Sequence, residues 1–239
     1  MELKLDLHIH SAHSPDGRMS LEEIVSLCRA RGLNAAAVCD HDRVLTDAPE
    51  VSDFLLIPGV EVSTQLGHLL GLFVTKQIET KDFYAAVEEI HAQGGLAVLA
   101  HPFQHHADPA RIEPIAHLLD GVEVFNSRAD RKNKRANAMA AQFAAGHRLA
   151  PFAGSDAHVP QEVGNAFVTL EVPDMQPDTV KAALKQGKCV PSGVRSPARY
   201  TAMSQLTKRK KTGASLPAYG KWALFALKCC AQDIFCKGD

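Results

Sequence analysis

Histidines and carboxylates recur along this chain at positions from which they could bind metal ions. The segment Asp6-Leu7-His8-Ile9-His10 places two histidines two residues apart on a β-prone stretch. Because side chains alternate across a strand, His8 and His10 point to the same side, as two ligands of one metal must. The pair alone fits a structural role equally well, so the prediction depends on the residues that accompany it.

Further candidate ligands follow the ends of later apolar segments. Asp40-His41-Asp42, His101-Pro102 and Asp156-Ala157-His158 each stand just beyond such a segment. In a parallel barrel these strand ends converge on one face, where catalytic groups collect. The candidate metal ligands are His8, His10, Asp16, His41, Glu61, His68, His101, Asp156 and His158.

This ligand set predicts a metal-dependent hydrolase. Imidazole and carboxylate ligands without a thiolate suit Zn, Mn or Fe, and their number exceeds what one ion accepts, so two or three divalent ions are expected. Glu61 is the natural bridge between two of them. Clustered cations neutralise phosphate oxygens and lower the pKa of a bound water, which predicts hydrolysis of a phosphate ester by a bridging hydroxide. The sequence has no GxSxG motif that would indicate a serine nucleophile instead.

Strand and helix patterns alternate along the first 192 residues. Residues 20–31 form a predicted helix, with Ser20 as N-cap, Glu23 completing a capping box and Gly32 ending it. Strands are predicted at 4–9, 35–39, 54–57, 68–74, 96–100, 122–125, 149–153, 166–170 and 188–190. Further helices are predicted at 80–93, 109–119, 129–145 and 177–186.

The alternation favours right-handed βαβ units and a largely parallel sheet, open or closed into a barrel. Two strands follow each other without a helix between residues 54 and 74, so an ideal eightfold barrel is not expected. Residues 193–239 are predicted to be a C-terminal extension that packs on the barrel through a helix at 222–234, or is partly disordered. Its basic run, Lys208 to Lys211, indicates a solvated face or a contact to nucleic acid or phosphate.

Composition excludes several classes of protein. A chain with 46% apolar and 22% charged residues is typical of a globular protein, and a net charge of -1 lacks the basic field of a dedicated duplex-binding protein. No signal peptide and no stretch of roughly 18 apolar residues is found, so a cytoplasmic protein without a membrane partner is expected. The six cysteines form no CxxC pair and are interpreted as reduced thiols.

Eight segments resemble the PHP family, named for polymerase and histidinol phosphatase. In chain order they are Asp6-Leu7-His8-Ile9-His10-Ser11, Pro15-Asp16-Gly17, Cys39-Asp40-His41-Asp42, Gly59-Val60-Glu61-Val62-Ser63, Gly67-His68-Leu69-Leu70-Gly71, Ala100-His101-Pro102, Glu123-Val124-Phe125-Asn126 and Gly154-Ser155-Asp156-Ala157-His158. The resemblance covers residues 1–192. It implies a distorted (β/α)7 barrel with a trinuclear metal site, acting on a small phosphomonoester or on a nucleotide or oligonucleotide end.

The resemblance also implies how the ligands divide. The first metal would take His8, His10, Glu61 and Asp156, the second Glu61, His68 and His101, and the third Asp16, His41 and His158. His13 is an alternative to Asp16. The residues expected to be catalytic are Asp16, His41, Glu61, Asp156 and His158.

Phosphate also needs donors other than the metals, and the planar fork of arginine matches it. Arg128 is the main candidate, followed by Arg18, Arg43 and Arg195, although each could be an ordinary surface arginine. Asn126 is expected to contact the substrate, to bind a metal or to hydrogen-bond a ligand. Asp42 is expected to support the neighbouring His41 or to transfer a proton.

Two other functions share some of these sequence features. Amidohydrolase-like enzymes also begin with HxH, but they commonly bridge their metals with a strand-end lysine, where this chain has Glu61. A non-catalytic, metal-stabilised PHP module would be expected to lose ligands, whereas all nine positions here carry a side chain that can bind metal. The substrate, the metals bound in the cell and the oligomeric state do not follow from the sequence.

Overall fold

Residues 1–46, 48–105 and 108–235 are described in the computed structural model of the protein. The strands are β1 (Glu2–Ile9), β2 (Ala35–Val38), β3 (Leu55–Thr64), β4 (Gly67–Leu72), β5 (Leu96–Leu99), β6 (Gly121–Asn126), β7 (Ala150–Gly154), β8 (Ala166–Glu171) and β9 (Cys189–Gly193). The α-helices are α1 (Leu21–Ala30), α2 (Phe83–Ala92), α3 (Ala136–His147), α4 (Pro177–Lys185), α5 (Ala198–Lys211) and α6 (Leu216–Phe235).

Within these ranges the strands form one sheet in the order β7-β6-β5-β4-β3-β2-β1-β8-β9. The sheet curls until the chain after β7 meets β1, where the His8 carbonyl accepts from Asp156 N at 2.8 Å and the Ala157 carbonyl accepts from His10 N at 2.8 Å. This nearly closed sheet confirms the predicted distorted barrel. The sheet is less parallel than expected, because β4, β8 and β9 run antiparallel to their neighbours.

The local sequence explains the first elements. The Ser20 side chain accepts from Glu23 N at 3.1 Å, which confirms the predicted helix cap. Helix α1 buries Ile24 and Cys28 in the same apolar cluster as Val38. All four residues of β2 are buried, which confirms a strand covered on both faces.

Strand β3 is longer than predicted and changes the position of Glu61. The pattern ended this strand at residue 57, but the strand continues through Pro58 and Gly59 to Thr64, so Glu61 lies inside it. Proline and glycine usually weaken strands. Here β3 continues past these residues because it pairs with β4 in an antiparallel hairpin, which turns between Thr64 and Gly67.

Two helical predictions need correction, and one helix was not predicted. The segment 109–119 forms 3-10 turns at Pro109–Arg111 and Glu113–Leu118 instead of an α-helix. Helix α3 begins at Ala136, not at 129, because the side chain of Asp130 accepts from Asn137 N at 2.9 Å and turns the chain before the helix. Helix α5 was not predicted, since it has no regular apolar stripe; its buried Ala202 packs in a small cluster with Cys229 of α6.

The chain after residue 193 contacts the barrel at several points. The Ser127 carbonyl accepts from Ser196 N at 2.7 Å, and the Arg131 guanidinium lies 5.6 Å from the centre of the Phe225 ring. The boundary at residue 192 stays a prediction, and residues 236–239, with Cys236, lie outside the described part. No helix in the described ranges is both long and apolar enough to span a membrane.

Candidate metal centre

The nine predicted ligands meet at one end of the barrel. Strands β1, β3 and β4 carry three of them, and the segments after β1, β2, β5 and β7 carry the other six. Seven are buried; His41 and His68 are the most exposed, with 23% and 36% of their side chains accessible. The predicted convergence of distant residues is therefore found in the structure.

Glu61 faces four imidazoles at 3.3 Å or less, and His8 Nε2 lies 3.6 Å from its Oε2. Its Oε1 is 2.5 Å from His68 Nδ1 and 3.0 Å from His101 Nε2. Its Oε2 is 2.8 Å from His41 Nδ1 and 3.3 Å from His10 Nε2. A carboxylate that presents each oxygen to a different pair of imidazoles has the arrangement required of a bridge between two cations.

Asp156 and the HxH pair form the neighbouring part of the cluster. Asp156 Oδ1 is 3.3 Å from His10 Nε2 and 3.9 Å from His8 Nε2, and these two histidine nitrogens are 3.1 Å apart. His8 and His10 thus point to the same side of β1, as their spacing predicts.

Among the residues that the structure describes, three groups of donor atoms lie close enough together to hold an ion. Within each group all donor atoms are within 4.8 Å of one another, and the groups are His8, His10 and Asp156; His41, Glu61 and His68; and His10, His41 and His158. The first agrees with the expected division of the ligands, whereas the other two place His41 beside Glu61 and His10 beside His158.

Asp16, not His13, joins this cluster. Asp16 Oδ1 is 3.4 Å from His158 Nε2 and 3.6 Å from His41 Nε2. The exposed His13 instead has its Nδ1 3.2 Å from Ser11 Oγ.

Two buried carboxylate oxygens that lack a hydrogen-bond partner in the described part of the chain indicate that cations fit here. Glu61 Oε2 and Asp16 Oδ1 are buried and have no hydrogen-bond partner in the described part of the chain, since the nearby imidazole nitrogens are not in hydrogen-bonding geometry. Buried carboxylate oxygens left without a partner are costly. Divalent cations bound at this cluster would satisfy these oxygens, and the nitrogen and oxygen donors suit Zn, Mn or Fe.

The electrostatics keep the acids ionised. Burial alone would raise the pKa of Glu61, but the charges of His68, His41 and His8 outweigh burial and hold its pKa well below the ordinary value. Burial acts on Asp156 in the same way and is again outweighed, chiefly by His8 and His10, so its pKa is also well below the usual range. Both carboxylates are therefore charged and ready to bind a cation.

The pKa values of His10 and His41 are shifted in opposite directions. Burial and the charges of His158 and His41 lower the pKa of His10 to about 3, so its imidazole is neutral, as a ligand must be. For His41, burial is outweighed by Glu61, which raises its pKa to about 9. A cation binding at His41 would therefore displace a proton, so metal affinity should fall as the pH is lowered.

Glu123 supports the cluster from behind, a role that sequence reasoning missed. Its Oε1 is 3.0 Å from His8 Nδ1, and its Oε2 accepts from His101 N at 2.9 Å and from Asn126 Nδ2 at 3.0 Å. The indication available in the sequence was Glu123 itself, an acidic residue within the otherwise apolar strand predicted at 122–125. The Asn126 amide also lies 3.4 Å from Asp156 Oδ2, so Asn126 hydrogen-bonds two acids of the site.

We expect Glu123→Gln to weaken metal binding about 10–100-fold, because residues that orient ligands contribute to affinity on this scale. The amide would still fill the space but would lack the charge that faces His8. Isothermal titration calorimetry with Mn²⁺ measures the effect, and Glu88→Gln on the exposed face of α2 is the control. Equal affinities for both variants would contradict the role of Glu123.

Asp40 and Ser14 support the other side. Asp40 Oδ1 accepts from Ser11 N at 2.8 Å and from Ser14 Oγ at 2.7 Å, and Ser14 Oγ is 3.0 Å from His10 Nδ1. Asp42 lies elsewhere: it accepts from Ser63 N at 2.7 Å and pairs with Lys81 at 3.2 Å. Asp40 thus supports His10 through Ser14, and the roles expected of Asp42 stay predictions.

The candidate phosphate-binding arginines have different surroundings. Arg128 is buried, and its Nε and Nη2 donate to the two oxygens of Glu162 at 2.7 and 2.6 Å. Arg195 pairs with Asp130 at 2.9 Å, while Arg18 and Arg43 are exposed. A substrate contact by these four arginines stays a prediction.

The backbone at the site has unusual geometry. His101 and Asp156 have φ angles of 27° and 54°, in the left-handed region that non-glycine residues adopt uncommonly. Gly154 allows β7 to approach β1, because a Cβ there would lie 2.3 Å from the Cβ of His8. The close approach at Gly154 lies two residues before Asp156, which faces the HxH pair.

The fold and the cluster define a barrel of the metal-dependent hydrolase class. The PHP domain family model matches residues 6–148, and the family described as PHP-associated matches residues 134–189. The chain belongs to the PHP family. This membership supports metal-dependent hydrolysis of phosphate esters.

Several known proteins are similar to this chain in sequence or in fold. The uncharacterized protein MJ0417 of Methanocaldococcus jannaschii is 32% identical over 185 residues, which are 72% of this chain and 74% of that protein. A 5'-3' exoribonuclease of Haemophilus influenzae is 41% identical over 81 residues, 30% of this chain and 29% of the enzyme. The fold is similar to a two-domain protein of Bacteroides vulgatus that contains a predicted PHP-like metal-dependent phosphoesterase, with a TM-score of 0.62 and 19% identity over 87% of this chain and 70% of that one.

Proposed function

We propose that this protein hydrolyses a phosphate ester at a centre of two or three divalent cations, Mn, Zn or Fe. The observation that carries the proposal is Glu61, a buried carboxylate that presents its two oxygens to different imidazoles and whose Oε2 has no hydrogen-bond partner among the described residues. The proposed metal ligands are the nine residues His8, His10, Asp16, His41, Glu61, His68, His101, Asp156 and His158.

Bound cations would neutralise the phosphate oxygens, lower the pKa of a water and stabilise the leaving oxygen. The protein's own contribution is to hold the ligands in place and to balance their charge. Asp16, His41, Glu61, Asp156 and His158 are the proposed catalytic residues. Because His41 and His68 are the most exposed members, the phosphate would enter from their side.

In this proposal Arg128 does not move to bind the phosphate. Glu162 holds its guanidinium, and the same Glu162 Oε2 accepts from His158 N at 3.1 Å. Burial would lower the pKa of Arg128, but the charge of Glu162, followed by those of Asp156 and Asp16, outweighs burial and raises it. Its fixed positive charge would therefore act at the edge of the centre, while Arg18 and Arg43 remain free to move toward a substrate.

The substrate is proposed to be either a small phosphomonoester or the end of a nucleotide chain. The similarity to the exoribonuclease supports the nucleic-acid end, although it spans only a minor part of that enzyme. The overall charge of -1 argues against tight binding of long duplex nucleic acid and leaves both choices open.

Metal-reconstituted protein should be tested on a panel of phosphorylated metabolites beside a 5'-labelled single-stranded oligonucleotide. We expect hydrolysis within one of these two groups, with activity lost after His68→Asn, which removes a ligand on the open side. Protein that binds metal but hydrolyses none of these esters would overturn the proposal and favour a metal-stabilised binding module.

A further inference from the structure

Lys211, the last residue of α5, reaches back to the loop that follows β1. Its Nζ donates to the carbonyl oxygens of Ala12 at 2.6 Å, Ser14 at 2.9 Å and Gly17 at 2.7 Å. A lysine ammonium has three N–H donors, and all three are used on one loop. In the described part of the chain no carboxylate lies within ion-pair distance of Lys211, so these carbonyl dipoles provide its partners.

The same loop, residues 11–17, carries two groups of the metal centre. Ser14 holds His10 through its side chain, and Asp16 faces His41 and His158. The loop is tightly folded, because a Cβ on Gly17 would lie 2.0 Å from the Ser11 carbonyl oxygen. Its conformation therefore determines whether Asp16 can reach the two histidines.

The N-terminal end of helix α5 is anchored to α6, so Lys211 projects from a helix whose position is fixed. Asp233 of α6 accepts from Ala198 N at 2.6 Å and from Arg199 N at 3.1 Å. The Trp222 indole donates to the Ala202 carbonyl at 2.8 Å. A helix of 14 residues is about 20 Å long, so α5 extends from this anchored end to the loop beside the metal centre.

We propose that Lys211 is a positioning residue that holds the 11–17 loop in the conformation in which Asp16 meets His41 and His158. The inference rests on the proposed metal centre. Loss of the three hydrogen bonds frees the loop and weakens the part of the centre that contains Asp16. The ligands on the strands, such as Glu61 and His8, keep their places because the sheet holds them.

The test compares Lys211→Met with Lys210→Met, which removes the same charge from the neighbouring exposed residue. Hydrogen–deuterium exchange of the metal-free proteins reports on the loop, and Mn²⁺ titration of activity reports on the centre. We expect Lys211→Met to exchange faster at residues 12–17 and to need about 10–100-fold more Mn²⁺ for half-maximal activity, the scale of ligand-orienting contacts. At saturating Mn²⁺ its kcat should return to the wild-type value.

Unchanged loop exchange and an unchanged Mn²⁺ requirement in Lys211→Met would overturn the proposal. Equal defects in Lys210→Met would also overturn it, because the effect would then come from the charge of the basic run. Recovery at high Mn²⁺ separates positioning from general loss of structure, which added metal would not repair. If wild-type protein binds no metal, the proposed function fails, and the exchange measurement still decides whether Lys211 holds the loop.

Discussion

Replacing Glu61 with glutamine is expected to lower kcat/KM for an aryl phosphate by about a thousandfold or more. The substitution keeps the shape of the side chain but removes the negative charge that faces His41, His68 and His101. Metal ions stabilise a phosphoryl transition state by several kcal/mol, and a loss of about 4 kcal/mol corresponds to a factor of about a thousand.

The loss should be visible in metal content as well as in rate. Elemental analysis of Glu61→Gln should find fewer bound ions per chain than in wild type, while its far-ultraviolet circular dichroism stays the same. Glu88→Gln, which removes a carboxylate from the exposed side of α2, is the matched control and should keep full activity. A Glu61→Gln variant within tenfold of wild type would show that Glu61 does not bridge the centre.

Removing the metals with a chelator is expected to abolish phosphoesterase activity, and adding Mn²⁺ or Zn²⁺ should restore it. The same treatment should lower the melting temperature, because the buried acids and imidazoles lose the ions that satisfy them. A ligand present at a thousand times its Kd stabilises the folded state by about 4 kcal/mol, which differential scanning calorimetry resolves easily.

The two measurements distinguish three cases. Activity that survives complete chelation would refute a metal-dependent mechanism. A metal-dependent rise in melting temperature without hydrolysis of any ester would identify a binding module built on the same barrel. Recovery of both stability and activity with the same metal is the outcome that the proposed function requires.

The sequence alone predicted alternating strands and helices, the barrel through its resemblance to the PHP family, and the candidate ligands, with His13 as an alternative to Asp16. The HxH spacing placed His8 and His10 on one side of a strand, because strand periodicity is a local property of the backbone. The positions of His41, His101 and Asp156 after apolar segments placed them at one end of the sheet, because parallel strands share a direction. Both arguments need only residues that are close together in the chain.

Only the tertiary structure decided which residues support the cluster. Asp16 instead of His13, Glu123 behind His8, and the pairing of Arg128 with Glu162 depend on how separate elements approach one another. The contact between Lys211 and Ser14 joins residues 197 positions apart. Such contacts form because buried charges and polar groups must find partners once the chain is packed, and local sequence patterns do not specify which distant residue provides them.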